Sequence, residues 1–342
     1  MLTLTEETSK RVTSGLPGWA RSRSSVGYRQ FSTLGMPNPR SDLWRHADLV
    51  VDLDALALAS APGPQLPPGG VADGIVVPGG RALSVDGFTV TAGSSGGAVV
   101  LSLSAAMKDH GEAVRLALGP APGEHLDRFS AVHDAFAADG VFLLLPRGVT
   151  VEGPLVVDLQ ATVAGSLALP RLVVVAQEDS AGAVVVQCRS PQGVSLAVVS
   201  QVVVSAGPRS HLEMSVVQDW GDSTYAVTQQ VLTAGPDAFL EWSEAGLGGR
   251  NSRTQLRVGL DGVGSRAGML GLYFGEGSQT LDYRCSVSHR APRTTSDLFL
   301  KGAVGQRSRS VFSGSIRVDP AGQQASARQT NRNLVLSDGR PP

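Results

Sequence analysis

One kind of segment keeps returning between residues 150 and 338. It appears as LVVDL (155–159), LVVVAQ (172–177), AVVVQC (183–188), LAVVSQVVVSA (196–206), MSVVQDW (214–220), AVTQQVL (226–232), LRVGL (256–260), LFLKGAV (298–304), SVFSGSIRV (310–318) and NLVLSD (333–338). Each segment is short, rich in β-branched residues and bounded by Gly, Pro, Asp or Ser, which is the signature of strands. The turn signals keep a rhythm: Gly182, Gly207, Gly235 and Gly262 are 25, 28 and 27 residues apart, and His289-Arg290-Ala291-Pro292 and Asp319-Pro320 continue it. Strands and turns recurring at such a period predict a solenoid, in which each coil buries its face on the next. The competing architecture is a β-sandwich, whose hairpin turns fall every ~8–12 residues.

Composition fits narrow coils. The 342 residues are 42% apolar but only 5% aromatic, so Val, Leu and Ala must fill the interior. The net charge of −1 supplies no field that would attract nucleic acid or an anionic membrane. Lysine occurs only at Lys10, Lys108 and Lys301. The first ten residues, MLTLTEETSK, lack the apolar centre of a secretory signal, and no run of eighteen uncharged apolar residues occurs. Two cysteines, Cys188 and Cys285, make no disulfide framework. These features together predict a cytoplasmic protein.

In chain order, two helices are expected within residues 1–35, the first ending at Gly15-Leu16-Pro17 and the second at Gly35, with Trp19, Val26 and Phe31 as its apolar face. MPNPRSD (36–42) reads as an extended linker, and 60–71 as irregular. Strands begin near 75 with GIVVPGG, RALSVDG, FTVTAG and AVVLSLS. AAMKDHGEAVRLALG and EHLDRFSAVHDAFAADG then switch to helical periodicity, before VFLLLPRGV returns to strand. The expected organisation is a helical and irregular region at 1–74, a coil region at 75–338 with the helical pair near 105–139, and a tail at 339–342. The last strand runs into that tail, so the final coil is expected to present an open sheet edge.

Motifs with chemical meaning are few. Gly93-Ser94-Ser95-Gly96-Gly97 fits G-x-S-x-G, but a strand-like segment follows where a nucleophile elbow needs a helix; a hairpin turn is expected. His125 and His133 sit eight residues apart on one helix, roughly 12 Å along its axis, too far to share an ion. Cys285 and His289 fall on one face of a strand but roughly 13 Å apart, so they become metal candidates only with ligands from a partner or a sharp bend. No phosphate loop and no C-x-x-C pair occurs.

Longer stretches carry a resemblance. HLDRFSAVHDAFAADGVFLLLPRGVTVEGPL (125–155), SVSHRAPRTTSDLFLKGAV (286–304) and VFSGSIRVDPAGQQASARQTNRNLVLSDG (311–339) resemble the SufB/SufD family of the SUF iron–sulfur cluster assembly system. The last matches the family's signature at Phe312, Gly314, Ile316, Val318, Gln324, Gln329, Asn331, Asn333, Leu334, Leu336 and Ser337. Trp44 and Arg45 fit a further family motif, while His46-Ala47 departs from its Tyr-Thr. The resemblance is to SufD-like members, because Arg332 stands where SufB-like members place a cysteine that holds or passes on the nascent cluster. The histidine of SufD-like members and the C-terminal helical domain that docks the ATPase would both lie beyond residue 342.

The resemblance implies a mainly β fold: a right-handed parallel β-helix with N-terminal helices and one inserted helical pair. It implies a scaffold subunit, not an enzyme, that pairs with a SufB-type subunit and is driven by a SufC-type ATPase. The chain alone is expected to bind no cofactor, with an iron–sulfur cluster at an interface shared with the partner. Asn331, Arg332, Asn333, Leu334 and Leu336 are the candidate interface residues. The alternatives are a self-associating structural β-helix that forms homodimers, and a polysaccharide-active β-helix enzyme, which would need clustered carboxylates on one sheet face.

Overall fold

The structure, a computed structural model, describes residues 2–38, 40–41, 44–45, 51–75, 80–119 and 127–336. Expectations placed on His46-Ala47, residues 76–79, His125, Ser337 and the tail at 339–342, and on parts of the 36–42 linker, lie outside the described residues.

The chain opens with α1 (Glu6–Val12) and α2 (Gly18–Thr33), as expected. Thr5 caps α1 through its side chain, with acids in the first turn and bases in the last, which suits the helix dipole. The buried stripe of α2 is Ala20, Ser24, Gly27 and Phe31, whereas Trp19 and Val26 are only half-buried. Small residues win that face because another helix comes very close: a Cβ on Gly27 would lie 2.7 Å from the Asp134 backbone. Then come β1 (Ala57–Leu58), β2 (Gly80–Val85), β3 (Phe88–Ser94) and β4 (Val99–Ser102). The hairpin is β2–β3, turning at Asp86-Gly87 with both residues at positive φ. Gly93 and Ser94 end β3, and the turn at Ser95-Gly96-Gly97 is not a hairpin; it hands the chain from one sheet to β4 in the other. The expected first helix of the inserted pair is two helices, α3 (Leu103–Asp109) and α4 (Gly111–Leu118), broken where His110 caps α3 before Gly111. Next, α5 (Arg128–Phe136) begins with a capping box between Asp127 and Ser130, and β5 (Val141–Leu145) follows.

From there the chain winds. The strands are β6 (Thr150–Gln160), β7 (Ser166–Ala168), β8 (Arg171–Ala176), β9 (Ala181–Arg189), β10 (Leu196–Ala206), β11 (His211–Asp219), β12 (Thr224–Ala234), β13 (Phe239–Gly246), β14 (Asn251–Leu260), β15 (Arg266–Gly275), β16 (Thr280–His289), β17 (Thr295–Val304), β18 (Arg309–Val318) and β19 (Ser326–Val335). Sheet A runs β18-β16-β14-β12-β10-β8-β5-β4, and sheet B runs β19-β17-β15-β13-β11-β9-β6-β2-β3. From β8 onward consecutive strands therefore sit in opposite sheets, and ladder neighbours within the winding are parallel. A hairpin-built sandwich would make consecutive strands antiparallel neighbours, so the solenoid is the fold. Following one register column, Ala181, His211, Phe239, Arg266, Thr295 and Ser326 stack at steps of 30, 28, 27, 29 and 31 residues.

The coil corners show why the rhythm was legible. Asp179, Arg209, Asp237, Gly264, Arg293 and Gln324 all have positive φ. The corners hydrogen-bond to one another: Arg209 N–H donates to Pro236 O at 2.8 Å, Asp237 N–H to Val263 O at 2.9 Å and Gly264 N–H to Pro292 O at 3.1 Å. Gly207, Gly235 and Gly262 precede these corners, and at Gly262 a Cβ would fall 1.9 Å from Pro236 N, so only glycine fits. Gly182 is not part of this column. It lies inside β9 facing the core, and Gln177 takes the corner position of that coil.

The interior is one continuous column of Val, Leu and Ala from Val141 to Leu300. Helices cover the outer face of sheet A. Phe31, Phe129, Val132 and Phe136 pack on Ala197, Val199 and Val227, while Leu103, Met107 and Val114 pack on Val173, Val175 and Val203. Every residue of α5 from Phe129 to Phe136 is buried. His133 Nε2 lies 2.6 Å from Val199 O, and burial pushes the imidazole down to about 3, so it is a neutral donor. Asp134 is paired with Arg23 at 2.9 Å and Arg171 at 3.4 Å. No comparable layer covers sheet B among the described residues, and Leu270, Leu272 and Phe274 are exposed on it.

Candidate functional site

Alternation along a strand sends every second side chain into the tube. At most inward positions that side chain is apolar, but in the middle coils it is not. Gln218 on β11, Thr228 and Gln230 on β12, Glu244 on β13 and Thr254 on β14 all point inward and are buried. They converge on one carboxylate. Gln218 Nε2 donates to Glu244 Oε1 at 2.7 Å and Thr254 Oγ1 to the same oxygen at 2.9 Å, while Gln230 Nε2 donates to Oε2. Trp220 and Trp242 extend the network, donating their indole N–H to Gln218 Oε1 at 3.1 Å and Gln230 Oε1 at 2.7 Å. Burial raises the Glu244 carboxyl to about 7, against the pull of donors from Thr254, Gln230, Gln218 and Tyr283. It therefore sits poised between its two protonation states near neutrality.

Glycine makes room for the aromatic part of this interior. Tyr273 and Tyr283 stack with ring centroids 4.9 Å apart. A Cβ at Gly246 would fall 2.0 Å from Tyr283 Oη, and one at Gly302 would fall 1.9 Å from the Tyr273 ring. Tyr273 Oη donates to Asn333 Oδ1 at 2.5 Å, which ties the interior to the last strand.

That last coil, β18 and β19, is the other candidate. Both are the outermost strands of their sheets among the described residues, and Ile316, Val318, Leu334, Val335 and Leu336 are exposed there. Among the proposed interface residues, Asn331 and Asn333 occupy inward register positions opposite Leu300 and Gly302, whereas Arg332 and Leu334 face outward beside Lys301 and Ala303. Leu336 follows the strand, its N–H donating to Val304 O at 2.8 Å, and the residue is 53% exposed. The buried oxygens Gln329 Oε1 and Asn331 Oδ1 have no hydrogen-bond donor, so the rim holds acceptors that its own coil leaves unmatched.

Cys285 and His289 share the inward face of β16, as their even spacing predicts, but both are buried. The two His289 ring nitrogens are engaged by Thr294 Oγ1 at 2.7 Å and Ser296 Oγ at 2.9 Å, and burial lowers its pKa. Burial pushes the Cys285 thiol up to about 12 and the Cys188 thiol well above its usual value, with the Glu244 charge adding to both. Both thiols stay protonated near neutrality, which is the state least suited to binding metal or attacking an electrophile. No third ligand group joins Cys285 and His289 among the described residues.

The sequence reading missed the Glu244 network. Its signal was present in TQQVL and EWSEAG, where Gln230 and Glu244 take the inward parity of otherwise apolar strands.

Both candidate regions lie within a stretch that matches a known family. The family described as "SUF system FeS cluster assembly, SufBD core domain" matches residues 159–340, which is 182 of the 342 residues. An iron–sulfur cluster assembly SufBD family protein of Staphylococcus saprophyticus is 21% identical over 206 residues, covering 60% of this chain and 44% of that protein. Counterparts in Staphylococcus haemolyticus and Staphylococcus aureus strain USA300 are each 20% identical over the same coverage. The chain thus spans less than half the length of the curated relatives it matches. No helix among the described residues is long and apolar enough to cross a membrane.

Proposed function

The chain belongs to the SufBD family of the SUF iron–sulfur cluster assembly system, and from that premise we propose that it is a SufD-like scaffold subunit without catalytic activity of its own, acting in the cytoplasm. It pairs with a SufB-type subunit, and a SufC-type ATPase drives the pair. The observation that carries the pairing is the final coil: two strand edges with no neighbouring strand among the described residues, exposed Ile316, Val318, Leu334 and Leu336, and the unmatched acceptors of Gln329 and Asn331. A second β-coil laid on that rim would bury the apolar side chains and offer donors to those acceptors. The SufD-like assignment is supported by Arg332, which occupies the position where SufB-like members carry a cysteine. The cluster is cargo, and this chain contributes part of the interface at which it forms.

The test is co-expression with a SufB-type subunit, followed by affinity capture. Leu334→Glu and Ile316→Asp, both at exposed positions, are expected to lower recovery of the partner at least about tenfold, with thermal stability unchanged within a few degrees. Recovery that survives both substitutions would sink the rim as the pairing surface. If the chain instead forms a tight homodimer that the SufB-type subunit never displaces, the self-associating alternative takes its place. Cluster assembly by this chain with no partner present would refute the SufD-like role.

A further inference from the structure

The uncovered face of sheet B carries an arrangement that neither cluster assembly nor the rim accounts for. Glu213 on β11 and Glu241 on β13 stand directly opposite each other in the parallel ladder, and His211 lies two residues before Glu213 on the same outward face. The three groups offer one imidazole nitrogen and two carboxylate oxygens, all within 4.8 Å of one another, with His211 Nε2 to Glu213 Oε1 at 3.8 Å. Like charges directly opposite across a ladder repel. Among the described residues no Lys or Arg forms an ion pair with either carboxylate, so the only partner with a positive form is His211 itself.

Three further features favour a bound cation over mere tolerance of that repulsion. The His211 ring rests on Phe239, centroids 4.9 Å apart, which restricts its orientation on the exposed face. The residues above and below the carboxylate pair in the same register column are Ala183 and Gly268, so no side chain crowds the outer coordination positions. Shallow concavities of about 220 Å³ and 400 Å³ flank the group, the first lined by His211 and Glu213 and the second by Glu213 and Glu241. Donors about 2.1 Å from one ion lie no more than about 4 Å apart, within reach of small side-chain rotations from the present separations.

The geometry points to a surface site for a divalent first-row transition cation, held by His211, Glu213 and Glu241 with water completing the shell. The mixed nitrogen and oxygen donor set favours zinc, cobalt, iron(II) or manganese over calcium or magnesium, which take oxygen-only shells. A pair of carboxylates alone would not make that distinction; the imidazole does.

The test uses the full chain stripped with chelator, titrated with Co²⁺ by visible absorption and with Zn²⁺ by calorimetry, with Ca²⁺ as the contrasting ion. The expected result is one ion per chain, ligand-field bands without a thiolate charge-transfer band, and Ca²⁺ binding at least about tenfold weaker than Zn²⁺. His211→Ala and Glu241→Gln, both on the exposed face, should each weaken Zn²⁺ binding by roughly 10- to 100-fold, and unfolding curves would verify that both variants stay folded. Cys285→Ser should leave binding unchanged. Absence of stoichiometric binding, binding abolished by Cys285→Ser, or binding indifferent to His211→Ala would each overturn the site.

Discussion

Replacing Glu244 by Gln tests the interior network through its pH dependence. The folded chain raises this carboxyl from 4.5 to about 7, because burial disfavours its charge more than the surrounding donors favour it. A group whose folded pKa lies above its unfolded value contributes fully below pH 4.5, and that contribution fades as pH climbs to about 7. The shift corresponds to about 3 kcal/mol between the two limits. His133 acts in the opposite sense: its pKa falls from 6.5 to about 3, so its contribution is lost as pH drops through that window. Wild-type stability between pH 4.5 and 6.5 is therefore the sum of two opposed slopes, and a flat profile would say nothing about either. The difference between wild type and Glu244→Gln isolates the carboxyl. The Gln amide N–H₂ would also face donors that now point at Glu244 Oε1 and Oε2, a cost that does not vary with pH. Denaturant unfolding followed by the fluorescence of Trp220 and Trp242, whose indoles donate into the network, reads the right region. The wild-type advantage should shrink by about 3 kcal/mol from pH 4.5 to 7.5. Parallel profiles for the two proteins over that range would refute a buried, near-neutral carboxyl at Glu244.

Gly246→Ala places a methyl group 2.0 Å from Tyr283 Oη, and a loss of about 1–3 kcal/mol is expected by denaturant unfolding, smaller when Tyr283→Phe is present; equal losses in both backgrounds would place the clash elsewhere. Cys285, with its thiol near 12 and its side chain buried, should resist iodoacetamide at pH 8 in the folded chain and react promptly after unfolding; fast native labelling would contradict its burial. Asp134→Asn leaves Arg171 and Arg23 without their shared carboxylate beneath the helical layer, which should cost about 3–5 kcal/mol in the same unfolding assay; a cost below about 1 kcal/mol would mean the pair is solvated.

The strands and the winding were legible because both follow from local rules. β-branched runs mark strands, and corners crowded against the preceding coil put glycine at Gly207, Gly235 and Gly262 at nearly equal spacing. Gly182 misled the count because a glycine at a corner and a glycine making room for Leu145 inside β9 look alike in sequence. The face of α2 was misjudged for a related reason. Close approach of α5 selects Gly27 on the buried stripe, whereas hydrophobic periodicity singles out Trp19 and Val26. The His211–Glu213–Glu241 group depends on which coil lies beside which, and the spacing of 28 residues between Glu213 and Glu241 has no meaning until the register is known.

The register itself is what the buried polar network bears on. A one-residue slip between coils would turn every side chain to the wrong face, and the apolar pattern alone forbids it. A two-residue slip keeps the faces and exchanges one apolar residue for another along inward runs such as Val202, Val204 and Ala206 of β10, so hydrophobic burial discriminates poorly against it. Glu244 does discriminate. Its donors come from β11, β12 and β14, on both sheets, and slipping any one strand by two residues carries a donor several ångströms from the carboxylate. Each buried donor or acceptor left unmatched costs about 1–3 kcal/mol, and a slip of β13 would strand several together. The apolar columns give the stack its cohesion, and the few polar residues inside it fix how each coil is seated on the next.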